Sequence, residues 1–365
     1  MAFARASLPA CPSPADADGL AIAVVGPGRV GSVLVDRLLS QTSRWHLAGL
    51  GNSTRLLTGT ADRREWRKQL ALSGKPGNLE SLTEHLLSQS ARRRVVVDAT
   101  ASQIVATRHA DWLEAGCDVV TANKWAMAAS QPRYRQLATA RRDSGQCYEH
   151  AATVGAGLPA LATIAALHAA GEPLLAVGGA LSGTMTFLTG RINAGQAPSQ
   201  ALAEAVAAGL TEPDPRADLD GLDVARKLVI LAREAGQALD LSDIAVESLV
   251  PPELTSLSTQ AFLEATDCLD AYWQKLARSA PGQGEILRHV GRFDVNGKAR
   301  VGLERVGRHD PLAALGDADN LIEIRTASYD QSPLVLRGPG AGIEVTALAL
   351  WSGLCRVSEC GKSCR

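Results

Sequence analysis

The stretch from Leu20 to Leu39 constrains this chain most. Leu20–Val25 (L-A-I-A-V-V) is a short apolar run suited to a strand buried on both faces. It ends in Gly26-Pro27-Gly28-Arg29-Val30-Gly31, and an amphipathic pattern follows through Val33, Leu34, Leu38 and Leu39. Strand, G-x-G-x-x-G and helix in that order form the context a dinucleotide-binding turn requires. Gly26 permits the tight turn, Gly28 lets backbone approach a pyrophosphate, and Gly31 allows the helix to pack on the strand. The unpaired N–H groups at the helix start then face phosphate. The expected frame is α/β, a Rossmann-type doubly wound parallel sheet.

The chain after this turn keeps to that frame. His46–Leu50 reads as a second strand, followed by Gly51-Asn52-Ser53-Thr54-Arg55. A carboxylate for the ribose 2′-hydroxyl is missing there, and none appears before Asp62. With Arg29 and Arg55 available, a 2′-phosphate is accommodated, so NADP is favoured and NAD remains possible. Residues 63–90 read as two helices broken at Gly74–Gly77. Residues 94–99 and 119–121 read as buried strands that deliver Thr100 and Lys124 to the carboxyl edge of the sheet, where ligands of open α/β sheets lie. A strand over Cys147–Ala152 brings Thr153-Val154-Gly155-Ala156-Gly157-Leu158-Pro159 to the same edge. That turn serves packing, offers carbonyls to a cation, or offers N–H groups to a carboxylate.

From Leu161 the texture becomes α+β, with helices to about Gly236 and later strands at 286–293, 299–306, 321–327 and 334–336. Within this half lies Gly209–Lys227, which packs Glu212, Asp214, Asp218, Asp220 and Asp223 beside Arg216, Arg226 and Lys227. Asp214, Asp218 and Asp220 read as turn and helix-entry residues, with Pro213 and Pro215 stopping regular structure before them. Asp223 and Lys227 are one helical turn apart, a spacing that suits a surface ion pair as well as a site. Arg337-Gly338-Pro339-Gly340-Ala341-Gly342 precedes a last helix, Val345–Leu354. The expected organisation is a leader at 1–19, a dinucleotide unit at 20–150, a substrate and dimerisation unit at 151–336, and a return to the first unit with a tail at 337–365.

Composition narrows the function. Thirty-seven Lys and Arg against 38 Asp and Glu give a net charge of -1, and aromatic residues are 4%. Neither a basic field nor a stacking platform recruits nucleic acid. Residues 151–171 carry no charge, yet Ala, Gly, Thr and Pro are poor material for membrane insertion, so a buried segment is expected. Seven cysteines without a C-x-x-C pair fit a reducing compartment, the cytoplasm, and no zinc site.

Taken together, the motifs resemble those of homoserine dehydrogenases. The matches are G-x-G-R-V-G-S at 26–32, V-D-A-T at 97–100, T-A-N-K at 121–124 and T-V-G-A-G-L-P at 153–159. L-S-G-T at 181–184, T-E-P-D-P-R-x-D-L-x-G-x-D-V-A-R-K at 211–227 and L-R-G-x-G-A-G at 336–342 complete them. The pattern is similar to the dehydrogenase half of bifunctional aspartokinase–homoserine dehydrogenases, without a kinase-sized segment before residue 20, so a single-function form is expected. The resemblance implies NAD(P)H-dependent reduction of L-aspartate 4-semialdehyde to L-homoserine in threonine and methionine biosynthesis, by a homodimer. It gives the substrate ammonium to Glu212 and Asp223, proton donation to Lys227, and polarisation of the aldehyde and cofactor contact to Lys124. Gly28, Arg29, Val30, Thr100 and Gly342 map to cofactor contacts, alongside Gly26, Gly31 and Arg55 from the residues themselves. Carbonyls of Val154, Ala156 and Leu158 map to a monovalent cation such as sodium.

Three departures stand out. Trp125 occupies the place of a frequent second lysine, Ala151 replaces an acidic residue near the cation loop with Glu149 close by, and the tail S-E-C-G-K-S-C-R matches nothing in the family. Two other readings remain: a dehydrogenase of another small amino-acid semialdehyde or hydroxy acid, and a non-catalytic dinucleotide-sensing module.

Overall fold

In the first strand, β1 (Leu20–Val25), every residue is buried, because side chains on both of its faces meet helices. Ile22 and Val24 face Leu34, Val35 and Leu38 of the helix Arg29–Ser40, and Leu350 and Leu354 of the last helix, Ile343–Glu359. Ala21, Ala23 and Val25 point the other way, to Leu82 and Leu86 of the helix Leu79–Leu87 and to Leu113 of the helix His109–Glu114. Burying one such Val or Leu side chain contributes about 1.5–3 kcal/mol. The structure, a computed structural model, describes residues 19–41, 45–59, 61–276, 284–316 and 318–360. All but Gly19 of the expected leader, and the tail beyond Cys360, lie outside the described residues.

Six further strands join β1 in the first sheet: β2 (Trp45–Gly51), β3 (Arg55–Thr58), β4 (Lys75–Pro76), β5 (Arg93–Asp98), β6 (Asp118–Thr121) and β7 (Tyr148–Glu149). Their order is β4-β3-β2-β1-β5-β6-β7, parallel from β2 to β7. The chain leaves β1 to β2 on one side and returns to β5 on the other, so the carboxyl ends of β1 and β5 form the topological switch point.

Arg55–Thr58, for which the sequence suggests no element, is a strand antiparallel to β2, because the Asn52 carboxamide accepts from Thr54 N at 2.9 Å and Arg55 N at 2.7 Å and reverses the chain. Two local readings change. The first helix expected in 63–90 is only Trp66–Lys68 with a π-helical turn at Gln69–Ser73, and the Gly74–Gly77 break holds β4. The strand expected over Cys147–Ala152 is cut to two residues. Thr153 bonds back to the His150 carbonyl through its N–H (3.0 Å) and hydroxyl (2.7 Å), closing a 3-10 turn at Ala151–Thr153.

The second sheet contains β8 (Leu174–Ala180), β9 (Ala245–Val246), β10 (Ile286–Asp294), β11 (Ala299–Val306), β12 (Asp319–Thr326) and β13 (Leu334–Pro339). Its order is β13-β12-β8-β10-β11-β9, antiparallel except where β11 meets β9. One apolar core runs from Ala23, Val96 and Val119 of the first sheet through Val224 and Leu228 of the helix Leu222–Glu234 to Val177 and Ile322 of the second. The last helix then closes on the first: the Trp45 and Trp351 rings lie 4.4 Å apart, with the Arg37 guanidinium 4.4 Å from the Trp351 ring centroid. Among the described residues no helix is long and apolar enough to cross a membrane.

Candidate active site

The glycine turn separates packing needs from ligand needs. A Cβ on Gly26 (φ +81°) would sit 2.4 Å from Thr100 Cγ2, and one on Gly31 would sit 2.3 Å from the Gly26 carbonyl oxygen. A Cβ on Gly28 would meet nothing within 4 Å. Packing therefore demands the first and last glycines, whereas Gly28 leaves bare backbone facing open space at the switch point. No side chain caps the helix that begins at Arg29, so its first N–H groups face the same space. Arg29 is exposed and Val30 half-buried there. These residues fit a pyrophosphate, and the neighbouring strand ends fit the rest of a dinucleotide.

Arg55 starts β3 and spends one donor on the Gly74 carbonyl at 2.7 Å, which holds it beside the end of β2. Asp62 is occupied elsewhere: its Oδ1 caps the turn at Arg64 N (2.8 Å) and Glu65 N (3.1 Å). Gly342 (φ +132°) opens the last helix, and a Cβ on Gly157 would come within 3.5 Å of the Val345 carbonyl. The 153–159 turn thus lies against the start of that helix.

Across from this edge, the helix Leu222–Glu234 begins at Gly221 (φ +76°), in a conformation suited to glycine, with Asp220 accepting from Leu222 N at 2.8 Å. That start aims Asp223 and Lys227 at β6. Asp223 Oδ1 lies 3.1 Å from Lys124 Nζ and its Oδ2 2.9 Å from Lys227 Nζ. Lys227 is 7% exposed and also donates to the Leu181 carbonyl at 2.7 Å, an oxygen that accepts Asn320 Nδ2 at 3.0 Å. Burial works to raise the Asp223 carboxyl, but the charges and hydrogen bonds of Lys227 and Lys124 outweigh it and hold Asp223 well below the usual carboxylate range. Arg226 adds a second link between the same elements, its guanidinium 4.2 Å from the ring centroid of Trp125. Lys124, distant in sequence, is thus brought to Asp223 and Lys227.

Glu212 is exposed, and its backbone N–H donates to Asp218 Oδ2 at 2.8 Å. Asp218 is therefore a contact that fixes the Glu212 backbone. Burial is the main cause that pushes the Asp218 carboxyl up to about 6, with the charges of Glu212 and Asp223 adding to it; hydrogen bonds from Glu212 N–H and Thr184 oppose. The sequence reading treated Asp218 as a turn residue and missed this acid. Asp214, by contrast, is structural: it takes the Arg216 guanidinium, which also reaches the carbonyls of Leu254, Thr255 and Leu257.

In the 153–159 turn Val154 and Ala156 are buried, and Ala156 (φ 49°) is the one non-glycine with positive φ among the described residues. Glu149, the acid nearest to the loop in sequence, is engaged by Arg356 at 2.7 Å. Among the described residues no three His, Cys, Asp or Glu side chains cluster as metal ligands.

A phosphate-ready turn at a switch point and a lysine–carboxylate–lysine cluster beside the end of β6 are the features of a dinucleotide-binding α/β protein with a polar ligand site. The family model for the homoserine dehydrogenase NAD-binding domain matches residues 26–150, and that for homoserine dehydrogenase matches 159–355. This chain belongs to the homoserine dehydrogenase family. It is 40% identical over 353 residues to bifunctional aspartokinase/homoserine dehydrogenase 2, chloroplastic, of Zea mays, covering 93% of this chain and 38% of that protein. To bifunctional aspartokinase/homoserine dehydrogenase 2 of Escherichia coli (strain K12) it is 43% identical over 265 residues, 73% of this chain and 33% of that one. The chain thus spans well under half the length of these relatives. Among solved structures, a Candida auris protein of unknown function superposes with a TM-score of 0.85 at 29% identity, covering 94% of this chain and 98% of that one. A hyperthermophilic archaeal homoserine dehydrogenase in complex with NADPH shares the fold, with a TM-score of 0.70 at 20% identity over 92% of this chain and 97% of that one.

Proposed function

We propose that this chain is a homoserine dehydrogenase that interconverts L-aspartate 4-semialdehyde and L-homoserine, a step of threonine and methionine biosynthesis, with NADPH preferred over NADH. The observation that carries this reading is the Asp223 carboxylate bridging Lys124 and Lys227 at the carboxyl edge of the first sheet. When bound, the nicotinamide cofactor supplies the hydride that reaches the aldehyde carbon. Lys227 holds the matching proton at Nζ and passes it to the carbonyl oxygen, with Asp223 and the Leu181 carbonyl fixing its direction. Lys124 polarises that oxygen from the first sheet, so the developing alkoxide lies between two ammonium groups. Glu212 and Asp223 receive the substrate ammonium; each Asp223 oxygen keeps a second lone pair beside the lysine it already accepts.

Gly26, Gly28, Arg29, Val30, Gly31, Thr100, Lys124 and Gly342 form the cofactor edge, and Arg55 faces a 2′-phosphate, a choice supported by the capping duty of Asp62. The carbonyls of Val154, Ala156 and Leu158 are the candidate seat of a monovalent cation such as sodium, without help from Glu149. We place the dinucleotide unit at 20–150 and 337–365 and the substrate unit at 151–336. The inferred assembly is a homodimer through the second sheet in a reducing compartment such as the cytoplasm, a setting that the thiols of Cys117, Cys147, Cys268 and Cys360 suit.

The test is isotopic. With NADPH deuterated at the transferable nicotinamide C4 position and L-aspartate 4-semialdehyde, the product homoserine carries one deuterium on its hydroxyl-bearing carbon. Folded protein that binds NADPH but transfers no label supports the dinucleotide-sensing reading instead.

A further inference from the structure

Two polar residues inside the strand-end motifs, Asp98 of V-D-A-T and Asn123 of T-A-N-K, take no part in the chemistry above. Both are buried, at 0% and 1% exposure, where β5 and β6 end. Asp98 accepts four hydrogen bonds. Its Oδ1 takes Thr100 N at 2.8 Å and Thr100 Oγ1 at 2.7 Å, and its Oδ2 takes Asn123 Nδ2 and His109 Nε2, each at 2.9 Å. The Asn123 amide also reaches the Ser102 carbonyl at 2.8 Å and Thr100 Oγ1 at 3.2 Å, while its Oδ1 accepts from Trp125 N at 3.0 Å. One side chain thus ties the loop carrying Thr100 to the loop carrying Lys124.

Behind Asp98 stands His109, fully buried on the helix His109–Glu114, with its Nδ1 2.9 Å from the Tyr148 hydroxyl of β7. A carboxylate oxygen accepts, so the hydrogen-bond network assigns the ring proton to Nε2 and leaves Nδ1 as acceptor. Burial pushes the Tyr148 hydroxyl above its ordinary range, which keeps it a donor to that nitrogen. The chain Tyr148–His109–Asp98 therefore has a direction, each donor pointing toward the sheet edge.

We propose that His109, oriented by Tyr148, is a positioning residue for the cofactor edge. Through Asp98 it sets Thr100 against the glycine turn, and through Asn123 it sets the loop that carries Lys124. The tolerance is small: Thr100 Cγ2 already fills the space that a Cβ on Gly26 would need. Packing alone does not ask for this arrangement. Apolar side chains would join β5 to β6 without the desolvation cost of a buried carboxylate, whereas a polar network fixes one geometry when all its members are satisfied. The effect on Lys124 rests on the proposed function; the effect on the glycine turn does not.

The experiment compares His109→Leu, His109→Gln and Tyr148→Phe with the wild type. It reads NADPH affinity by quenching of protein fluorescence, kcat and KM with homoserine, and thermal unfolding. In folded His109→Leu, NADPH affinity and kcat each fall about tenfold or more, as a sub-ångström to 1 Å misplacement allows. His109→Gln keeps an N–H within reach of Asp98 and recovers both to within about threefold. Tyr148→Phe shows a smaller loss of the same kind. Wild-type NADPH affinity and kcat in His109→Leu, whatever its melting temperature, would overturn the proposal, as would equal losses in His109→Leu and His109→Gln. Should His109→Leu not fold, unchanged NADPH affinity and kcat in Tyr148→Phe overturns it. A wild type that binds NADPH without turning over homoserine contradicts the proposed function, while the affinity comparison still decides the positioning role.

Discussion

Lys227 gains its meaning from what surrounds it. The residue is 7% exposed and its ammonium is bonded to one carbonyl and one carboxylate, so it is not a solvated helix charge. Replacing it by Ala is expected to leave NADPH affinity within about threefold and to lower kcat by ~10²-fold or more, the scale of a lost general acid. Steady-state kinetics with a separate binding titration checks this, and a near-normal kcat removes the assigned role. Asp218 makes a pH prediction. With its carboxyl raised to about 6, it loses its negative charge as pH falls through that value, so KM for homoserine should rise between about pH 7 and 5. Asp218→Asn should show a raised and flatter KM over that range. The sign for stability is the opposite of a salt-bridged acid: the folded state binds the proton more tightly, so Asp218 costs stability as pH rises from 3.8 towards 6. At neutral pH Asp218→Asn should then melt higher; an unchanged pH profile of KM contradicts the assignment. Asp223 and Lys227 were legible in the sequence as an i, i+4 pair, but not as the far side of a bridge to Lys124. That needs a fold in which residues a hundred positions apart meet.

At the scale of elements, glycine and apolar runs spoke more clearly than loops did. β1, the G-x-G-x-x-G turn and the helix after it were readable because strand burial, turn geometry and helical periodicity agree there. β3 was not, since its hairpin depends on the Asn52 carboxamide rather than on any apolar pattern. Because that hairpin positions Arg55, Arg55→Ala should raise KM for NADP about tenfold more than KM for NAD, the scale of a lost charge-assisted contact. Equal effects on both would remove the 2′-phosphate argument. In the second sheet, His289 of β10 is 2% exposed, and among the described residues neither ring nitrogen has a hydrogen-bond partner. Burial lowers its pKa to about 4 from 6.5. An unfolded His289 takes a proton that the folded one refuses, so stability present above pH 6.5 is lost as pH falls towards 4, by up to about 3 kcal/mol. His289→Phe should stabilise the chain by about 1–3 kcal/mol and weaken that acid dependence. Calorimetry at pH 7 and pH 5 reads both, and a variant that keeps the full acid loss excludes His289 as its source.

For the whole molecule, the site lies where two sheets share one core, so neither sheet holds it alone. Lys124 and Thr100 come from parallel strand ends, while Asp223, Lys227, Asp218 and Glu212 come from the helical connection beside the antiparallel sheet. The order of the motifs along the chain made that partition readable; their convergence follows from Leu181, which comes directly after β8 and whose carbonyl holds Lys227, and from the helix Leu222–Glu234 reaching Lys124 beyond β6. The central claim concerns the reaction, and the initial rate of L-homoserine oxidation by purified protein tests it most directly. Assayed at alkaline pH with NADP and with NAD, beside L-serine and L-malate as controls, homoserine should be turned over, faster at low cofactor concentration with NADP, while the controls stay inert. Turnover of malate or serine in place of homoserine, or no turnover by folded protein that binds NADPH, would contradict the account.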